Sequence, residues 1–258
     1  MSKNNTVKAE NSVYSFPVVR KIETRAIINW LQHGLNDIRQ AGLSSLFYGV
    51  IFATAGILMH TVFIEAGWLL AALTSGFLLI GPFLAMGLYD LSRRMELGEK
   101  PDLIPTLTAW RLNLINVGIF AGVLVIILLI WARASLVIFA LFFQGGLPTF
   151  LDIVQAVIAF KQPTFAIAYF LVGGFFAAFV FAVSVIVIPL MADRKTDAVT
   201  AALASLIAVV RNPPPMSLWA LCIALLTVIG FATYFTGLII TMPIIGHATW
   251  HAYRDLVE

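Results

Sequence analysis

The sequence predicts an all-α fold: a polytopic membrane bundle of about six transmembrane helices, arranged as three hairpins with amphipathic helices on the cytoplasmic side. Hydrophobic residues make up 60% of the chain and charged residues 11%, with a mean hydropathy of +0.95. By comparison, about a quarter of the residues of a soluble domain are charged. The apolar residues form runs of roughly 20 or more, the length that crosses a hydrocarbon core about 30 Å thick. Lys and Arg lie mainly between alternate runs, as expected for membrane hairpins.

Six spans are predicted, at residues 46–64, 67–89, 112–131, 164–191, 216–232 and 236–253. Only residues 65 and 66 separate the first two, which indicates a tight hairpin. The last two come from one uncharged run, 216–246, whose 31 residues would extend about 46 Å as a single helix. That length exceeds the hydrocarbon core by half, and Gly230 and Gly237 bracket a turn, so we expect two helices there.

The segments outside the spans complete the predicted organisation. Residues 1–25 are polar and lack apolar periodicity, which predicts a disordered cytoplasmic tail before an integral membrane domain over residues 26–258. Between Arg133 and Lys161 the sequence predicts an extension of the third helix, a glycine-proline turn and an interfacial helix. The second helix of each hairpin carries a proline, Pro82, Pro189 or Pro243, and each predicts a kink.

The basic residues predict the orientation of the bundle. Six spans leave only Arg133 and Lys161 on the outer side. The other 14 of the 16 Lys and Arg residues lie on the inner side together with both termini. Five tryptophans near predicted span ends fit the preference of this side chain for the headgroup layer: Trp68, Trp110, Trp131, Trp219 and Trp250.

A short helix is predicted between the fourth and fifth spans. Asp197 is placed to cap it, and Asn212 with the three prolines that follow is placed to end it. An apolar stripe recurs at i, i+4, i+7 and i+11, formed by Val199, Leu203, Leu206 and Val210. We expect this stripe to pack under the bundle as an interfacial connector. A helix that docks a partner or senses lipid is the alternative.

The candidate site residues are His247 and His251, which with Asp255 share one face of the last helix. His247 and Asp255 are about 12 Å apart along the axis, so the three side chains cannot hold one metal ion. His247 and His251 would bind a metal only with a further ligand from another span. The alternative is interfacial histidines, with His251 hydrogen-bonded to Asp255. We predict no catalytic residues, no cofactor-binding residues and no metal, and the basic residues form no run that could follow a nucleic acid backbone.

Three blocks, "GFLLIGPFLAMGLYDLSRR", "ADRKTDAVTAALASLIAVVRNPPPMSLWAL" and "GHATWHAYRDL", resemble those of bacterial integral membrane proteins of domain-of-unknown-function family 2189. The resemblance covers most of the chain from about Trp30 and implies a location in the bacterial inner membrane. Some members are labelled as potential cytochrome c oxidase subunit I. Such a core needs about six histidines to hold two haems and copper, whereas this chain has 4. We therefore expect no haem or copper.

Two functions remain open at this stage. The first is a non-catalytic scaffold, assembly or accessory factor, beside a respiratory complex if the label reflects an association. The second is a transporter or channel for an uncharged or apolar solute, because no charged residue lies well inside a predicted span and ion carriers usually bury one there. The expected partners are the lipid bilayer and, for the first function, another membrane protein.

Overall fold

A computed structural model describes residues 16–65, 70–143, 161–194 and 196–258, and the regular structure in these residues is helical apart from one isolated β-bridge. It confirms the predicted all-α membrane bundle. A 3-10 turn at Ala109–Asn113 precedes the third long helix. The helices, in chain order, are α1 (Ala26–Ala41), α2 (Leu43–Glu65), α3 (Leu70–Glu96), α4 (Leu103–Thr106), α5 (Leu114–Phe142), α6 (Pro163–Ser184), α7 (Val187–Arg194), α8 (Ala198–Arg211), α9 (Pro213–Ala232) and α10 (Leu238–Leu256).

Four segments of the described chain are long and apolar enough to cross a membrane. They are Leu43–Val62, Leu114–Phe142, Pro163–Arg194 and Pro213–Ala232. The helix predicted at 112–131 continues to Phe142, so the predicted extension beyond Arg133 is present. The interfacial helix predicted after it falls in residues 144–160, outside the described residues, as does the start of the second predicted span.

The uncharged run 216–246 forms two helices, as the sequence predicts. α9 ends at Ala232 and α10 begins at Leu238. In the turn between them, the backbone amide of Gly237 donates to the Thr233 hydroxyl at 2.8 Å. Tyr234 and Phe235 both have positive φ, 52° and 65°, which reverses the chain direction over a few residues.

The main hydrophobic core lies at one end of the bundle, which we call the base. There the start of α9 and the ends of α3, α7 and α10 pack against the amphipathic helices α1 and α8. Its largest fully buried side chains include Trp30, Trp219, Trp250, Tyr253 and Met191. Toward the other end the apolar side chains of α5, α6 and α9 are largely exposed, which is the surface expected to face lipid acyl chains.

α10 is the central helix of the bundle and packs against α1, α2, α3 and α9. Three glycines allow its backbone to approach its neighbours closely. A Cβ added at Gly34 of α1 would lie 2.9 Å from the Ala248 amide nitrogen, and one added at Gly246 would lie 2.7 Å from Leu88 of α3. A Cβ at Gly49 of α2 would overlap the Ile239 carbonyl. Any side chain at these positions would push α10 away.

The prolines act differently in the three hairpins. Pro189 follows a break at Val185–Ile186, where α6 ends and α7 begins. Pro243 lies inside α10, which stays continuous, and Pro82 lies within α3. Because Pro243 has no amide hydrogen, the carbonyl of Ile239 lacks its usual helical partner. Gly49 is the residue that packs against this carbonyl.

The two ends of the described chain meet at the base. Val19 and Val257 form an antiparallel β-bridge. The amide of Arg20 donates to the Leu256 carbonyl at 2.8 Å, and that of Glu258 to the Val18 carbonyl at 3.0 Å. Residues 16–25 therefore differ from the predicted disordered tail, because backbone pairing orders them where side-chain periodicity gives no signal. Residues 1–15 lie outside the described residues.

This β-bridge limits the number of membrane crossings. An odd number of crossings between Val19 and Val257 would place them on opposite sides of the bilayer, about 30 Å apart. Five crossings are thus incompatible with the bridge, whereas six, the number predicted from the sequence, place both ends on one side.

The topology can be tested with a single cysteine at Tyr234, which is 83% exposed in the α9–α10 turn. In a Cys222→Ala background, we expect an impermeant thiol reagent to label Tyr234→Cys from the side opposite to the termini. A fluorescent protein fused after Glu258 should mature in the cytoplasm. Alkaline phosphatase activity at the same fusion point, or complete protection of the cysteine, would contradict the six-crossing arrangement.

The packing of α8 is the opposite of the predicted one. Asp197 does cap this helix, accepting from the amides of Val199 at 3.0 Å and Thr200 at 2.9 Å, and the helix ends at Arg211. However, its buried residues are the small ones, Ala198, Ala201, Ala204, Ser205 and Ala208. The stripe of Val199, Leu203, Leu206 and Val210 points outward. The alanine face is the buried one because small side chains let α8 lie closer to α6 and α7 than leucines would.

Candidate functional site: a buried network of histidine, serine and aspartate

Four helices bring a cluster of polar side chains together inside the base. Asp37 comes from the last part of α1, Ser45 from the first turn of α2, Ser92 from the last part of α3, and His247 from α10. Each is at least 90% buried, and Ser45 and His247 are fully buried. Buried polar groups are costly unless they are hydrogen-bonded, so their partners define what the cluster can do.

Both ring nitrogens of His247 contact serine hydroxyls. Ser45 Oγ lies 2.7 Å from Nε2, and Ser92 Oγ lies 2.6 Å from Nδ1. Ser92 Oγ also donates to Asp37 Oδ2 at 2.6 Å. Asp37 Oδ2 is 3.7 Å from His247 Nδ1, so Ser92 bridges the carboxylate and the imidazole.

These contacts determine which way the hydrogen bonds point. Ser92 has one hydroxyl proton, and Asp37 Oδ2 accepts the hydrogen bond that it makes. The Ser92 proton therefore points to Asp37, and Ser92 Oγ accepts from His247 Nδ1–H. Nε2 is then free to accept from the Ser45 hydroxyl. In this arrangement every one of these contacts has one donor and one acceptor.

The network reaches the surface of the base through a second histidine. His251 Nε2 lies 2.9 Å from Asp37 Oδ2, and the rings of His251 and the exposed His33 are 5.0 Å apart. The predicted bond between His251 and Asp255 is wrong. Asp255 instead accepts from Trp30 Nε1 at 2.6 Å. His251 and Asp255 of α10 therefore both bond to α1 rather than to each other, because α1 packs along this face of α10.

The structure brings His247 and His251 close to Asp37 but not into a metal site. Within the described residues there is no group of three or more His, Cys, Asp or Glu side chains that could hold a metal ion. Both nitrogens of His247 are engaged by Ser45 and Ser92, so a metal would have to displace a hydrogen bond inside a fully packed region.

Ser45, His247 and Asp37 resemble a nucleophile, base and orienting acid in their order. Catalysis of that kind requires the nucleophile to reach a substrate, yet Ser45 has no exposed surface. Ser92 also separates Asp37 from the imidazole. In this arrangement the buried polar side chains are hydrogen-bonded to one another. These hydrogen bonds fix the relative positions of α1, α2, α3 and α10.

A second polar cluster joins the helix ends next to the network. Arg254 bonds to Glu96 at 3.0 Å and lies 3.4 Å from Asp193, and Tyr253 donates to Asp193 at 2.6 Å. Arg194 donates to the Tyr253 hydroxyl and to the Glu258 carbonyl. The ends of α3, α7 and α10 are thus locked together by charge-assisted hydrogen bonds.

Two asparagines form further hydrogen bonds between helices. Asn113 Nδ2 donates to the carbonyls of Met191 at 3.2 Å and Thr196 at 3.0 Å, which ties the start of α5 to the end of α7. Asn116 donates to Asn113 Oδ1 at 2.7 Å and accepts from the Ala198 amide at 3.4 Å.

Part of the chain matches a known protein family. Residues 69–193 match the family model described as "Predicted integral membrane protein (DUF2189)". The matched region runs from α3 to α7 and includes Ser92, whereas Asp37, Ser45 and His247 lie outside it. No curated protein and no solved structure matches the chain. The apolar helices of the described chain agree with the family description. Over residues 69–193 the chain is therefore similar to the DUF2189 family of predicted integral membrane proteins.

Proposed function

We propose that this protein is a non-catalytic accessory or scaffold protein of the bacterial inner membrane, with both termini in the cytoplasm. It binds a transmembrane helix of another membrane protein on its α5–α6 hairpin. The single observation that carries this proposal is a glycine notch on α5, formed by Gly118 and Gly122, that none of the described residues fills.

Gly81 of α3 and Gly174 of α6 are also open, but five other glycines of the bundle are filled. Gly34, Gly49, Gly56, Gly87 and Gly246 all lie against a backbone or side chain of another element, closely enough that a Cβ would clash. By contrast, a Cβ at Gly118 or Gly122 would meet nothing within 4 Å. Small residues four apart let helix backbones approach in a membrane, where lipid acyl chains gain nothing from them.

The surroundings of the notch fit a helix as the occupant. Ile115 and Ile119, at 76% and 53% exposure, share the face of Gly118 and Gly122, and the same face continues to Ile126 and Leu129. α5 is 29 residues long, so this surface runs along a helix of about 43 Å. Among the membrane helices of the described chain, α5 packs only on α3, α6 and the α7 end of that hairpin.

The rigid base favours a scaffold over a carrier. Transport by alternating access requires elements that move against each other. Here the network of Asp37, Ser92 and His247 and the helix-end cluster of Glu96, Asp193 and Arg254 fix the helix ends in one arrangement. A rigid platform that presents one free hairpin suits a protein that positions a partner.

The test is photo-crosslinking in native membranes. A benzophenone amino acid at Ile119 should give one discrete adduct with another membrane protein. Gly118→Leu with Gly122→Leu should reduce that adduct at least tenfold, because leucines fill the notch. The same probe at Leu58 of α2, which is also exposed at 53%, is the matched control and should give no discrete protein adduct.

Three outcomes would contradict the proposal. Adducts at Ile119 that contain lipid alone would show that the notch faces the bilayer. An adduct of twice the chain mass would replace the partner by a second copy. If the purified protein in liposomes accelerates the flux of an uncharged solute such as glycerol, the transporter alternative would take the place of the scaffold.

A further inference from the structure

An open groove lies beside the start of α9, at the edge of the base. Its volume is about 420 Å³, and it is lined by residues 21–24 on one wall and by Arg211, Asn212, Pro214 and Pro215 on the other. Pro213 begins a candidate span, so the groove lies at the boundary between the hydrocarbon core and the headgroup layer. We propose that this groove binds the headgroup of an anionic glycerophospholipid whose acyl chains lie along α9.

The walls of the groove are held in place by the chain itself. The Ile22 amide donates to Asn212 Oδ1 at 2.8 Å, and Asn212 Nδ2 donates to the Arg20 carbonyl at 3.0 Å. Arg211 Nη1 donates to the Val19 carbonyl at 3.1 Å. Asn212 is only 3% exposed, so these bonds are sheltered from water. The groove is therefore preformed, which lowers the entropic cost of binding.

Two cations face the groove from opposite walls. Arg211 uses one of its five N–H donors on the Val19 carbonyl. Among the described residues, no carboxylate pairs with the Lys21 ammonium or the Arg211 guanidinium. The hydroxyl of Thr24 adds a neutral donor. Glu23 is the one anionic lining residue, so the groove carries a net positive charge.

The start of α9 supplies no backbone amide that could bind an anion. No amide hydrogen is present at Pro213, Pro214 or Pro215. The Met216 amide already donates to the Asn212 carbonyl at 3.0 Å. The start of α9 thus gives no amide to a phosphate, and the side chains of Lys21, Arg211 and Thr24 supply charged and hydroxyl donors. This makes the binding sensitive to substitution of these residues.

The apolar surface above the groove distinguishes a lipid from a free phosphate. Pro214 shares a helix face with Leu218, Leu221 and Leu225, at i, i+4, i+7 and i+11. These leucines are 39%, 53% and 53% exposed. A cationic groove therefore continues into an exposed apolar stripe along one face of α9, which matches a phosphodiester attached to acyl chains.

The test measures binding of dioleoyl phosphatidylglycerol to the detergent-purified full chain by native mass spectrometry. We expect phosphatidylglycerol to bind at least tenfold more tightly than dioleoyl phosphatidylcholine. Lys21→Gln with Arg211→Gln should lower the affinity for phosphatidylglycerol at least tenfold, since each basic residue near the headgroup contributes about 1 kcal/mol. Glu23→Gln should raise it. Leu218→Ser with Leu221→Ser should lower it without changing the binding of inorganic phosphate.

The matched control is Arg39→Gln with Lys100→Gln, which removes two exposed cations outside the groove and should change the affinity less than twofold. An equal loss in this control would overturn the site in favour of general charge attraction. Phosphatidylcholine binding as tightly, or inorganic phosphate competing as strongly as the lipid, would also overturn it. Lys21→Gln alone keeps the test valid if Arg211→Gln lowers the melting temperature, because the Lys21 side chain holds no other described residue in place.

Discussion

Gly49→Ala is expected to destabilise the bundle by about 2 kcal/mol or more. The added methyl group would overlap the Ile239 carbonyl, and its Cβ would lie 2.6 Å from the Ile239 carbonyl carbon. Overpacking of this kind typically costs about 1–3 kcal/mol, and backbone atoms cannot rotate away as a side chain can. The higher helix propensity of alanine offsets at most about 1 kcal/mol of this cost. Thermal unfolding of the purified protein in detergent measures the change.

The matched control for Gly49→Ala is Gly122→Ala. Both substitutions add one methyl group to a membrane helix, but the Cβ at residue 122 meets nothing within 4 Å. The control should leave the melting temperature unchanged or raise it slightly. Equal destabilisation by both variants would show that the contact between Gly49 and Ile239 does not hold α2 against α10.

His247→Ala is expected to lower the free energy of unfolding by about 3 kcal/mol. The change leaves a cavity in the base and removes the partners of Ser45 and Ser92, which are both buried. For a chain of this size that corresponds to a decrease in melting temperature of roughly 5–10 °C. His33→Ala is the control, because His33 is exposed and lies at the edge of the network, with its ring against that of His251.

The network itself can be tested by combining His247→Ala with Ser92→Ala. If Ser92 transmits the effect of Asp37 to the imidazole, the two single effects should not add, and the coupling should be about 0.5–3 kcal/mol. Strict additivity would mean that the two side chains contribute independently. A change of 0.5 kcal/mol or less for His247→Ala would contradict a structural role for the network altogether.

The helices were predictable because their signal is local. Uncharged runs of sufficient length predict spans, and the excess length of the run 216–246 predicts the turn near Thr233. The cap by Asp197 follows from the residue type alone. The outward face of α8 did not follow, because hydropathy says which face is apolar but not whether alanines or leucines meet the neighbour. That choice depends on how closely two helices approach.

The buried network could be anticipated only in part. His247 and His251 stood out as histidines on one helical face, but Asp37, Ser45 and Ser92 did not. Each of these three is a single polar residue near the end of a helix, where exposure to water is the ordinary expectation. Their burial follows from the position of α1 across the base. A signal was present in Gly34, since a glycine within the amphipathic α1 indicates a close neighbour.

The central position of α10 has a consequence for biosynthesis. The ribosome makes this helix after every other helix of the described chain, yet α1, α2, α3 and α9 all pack against it. Until residues 238–258 have been made, Gly34 and Gly49 lack the α10 backbone that they contact, Ser92 lacks His247, and Val19 lacks its bridge partner Val257. The helices made earlier must therefore stay in the bilayer as a partly assembled bundle. Among the described helices α10 is translated last, so the others reach their final packing only after it has been made.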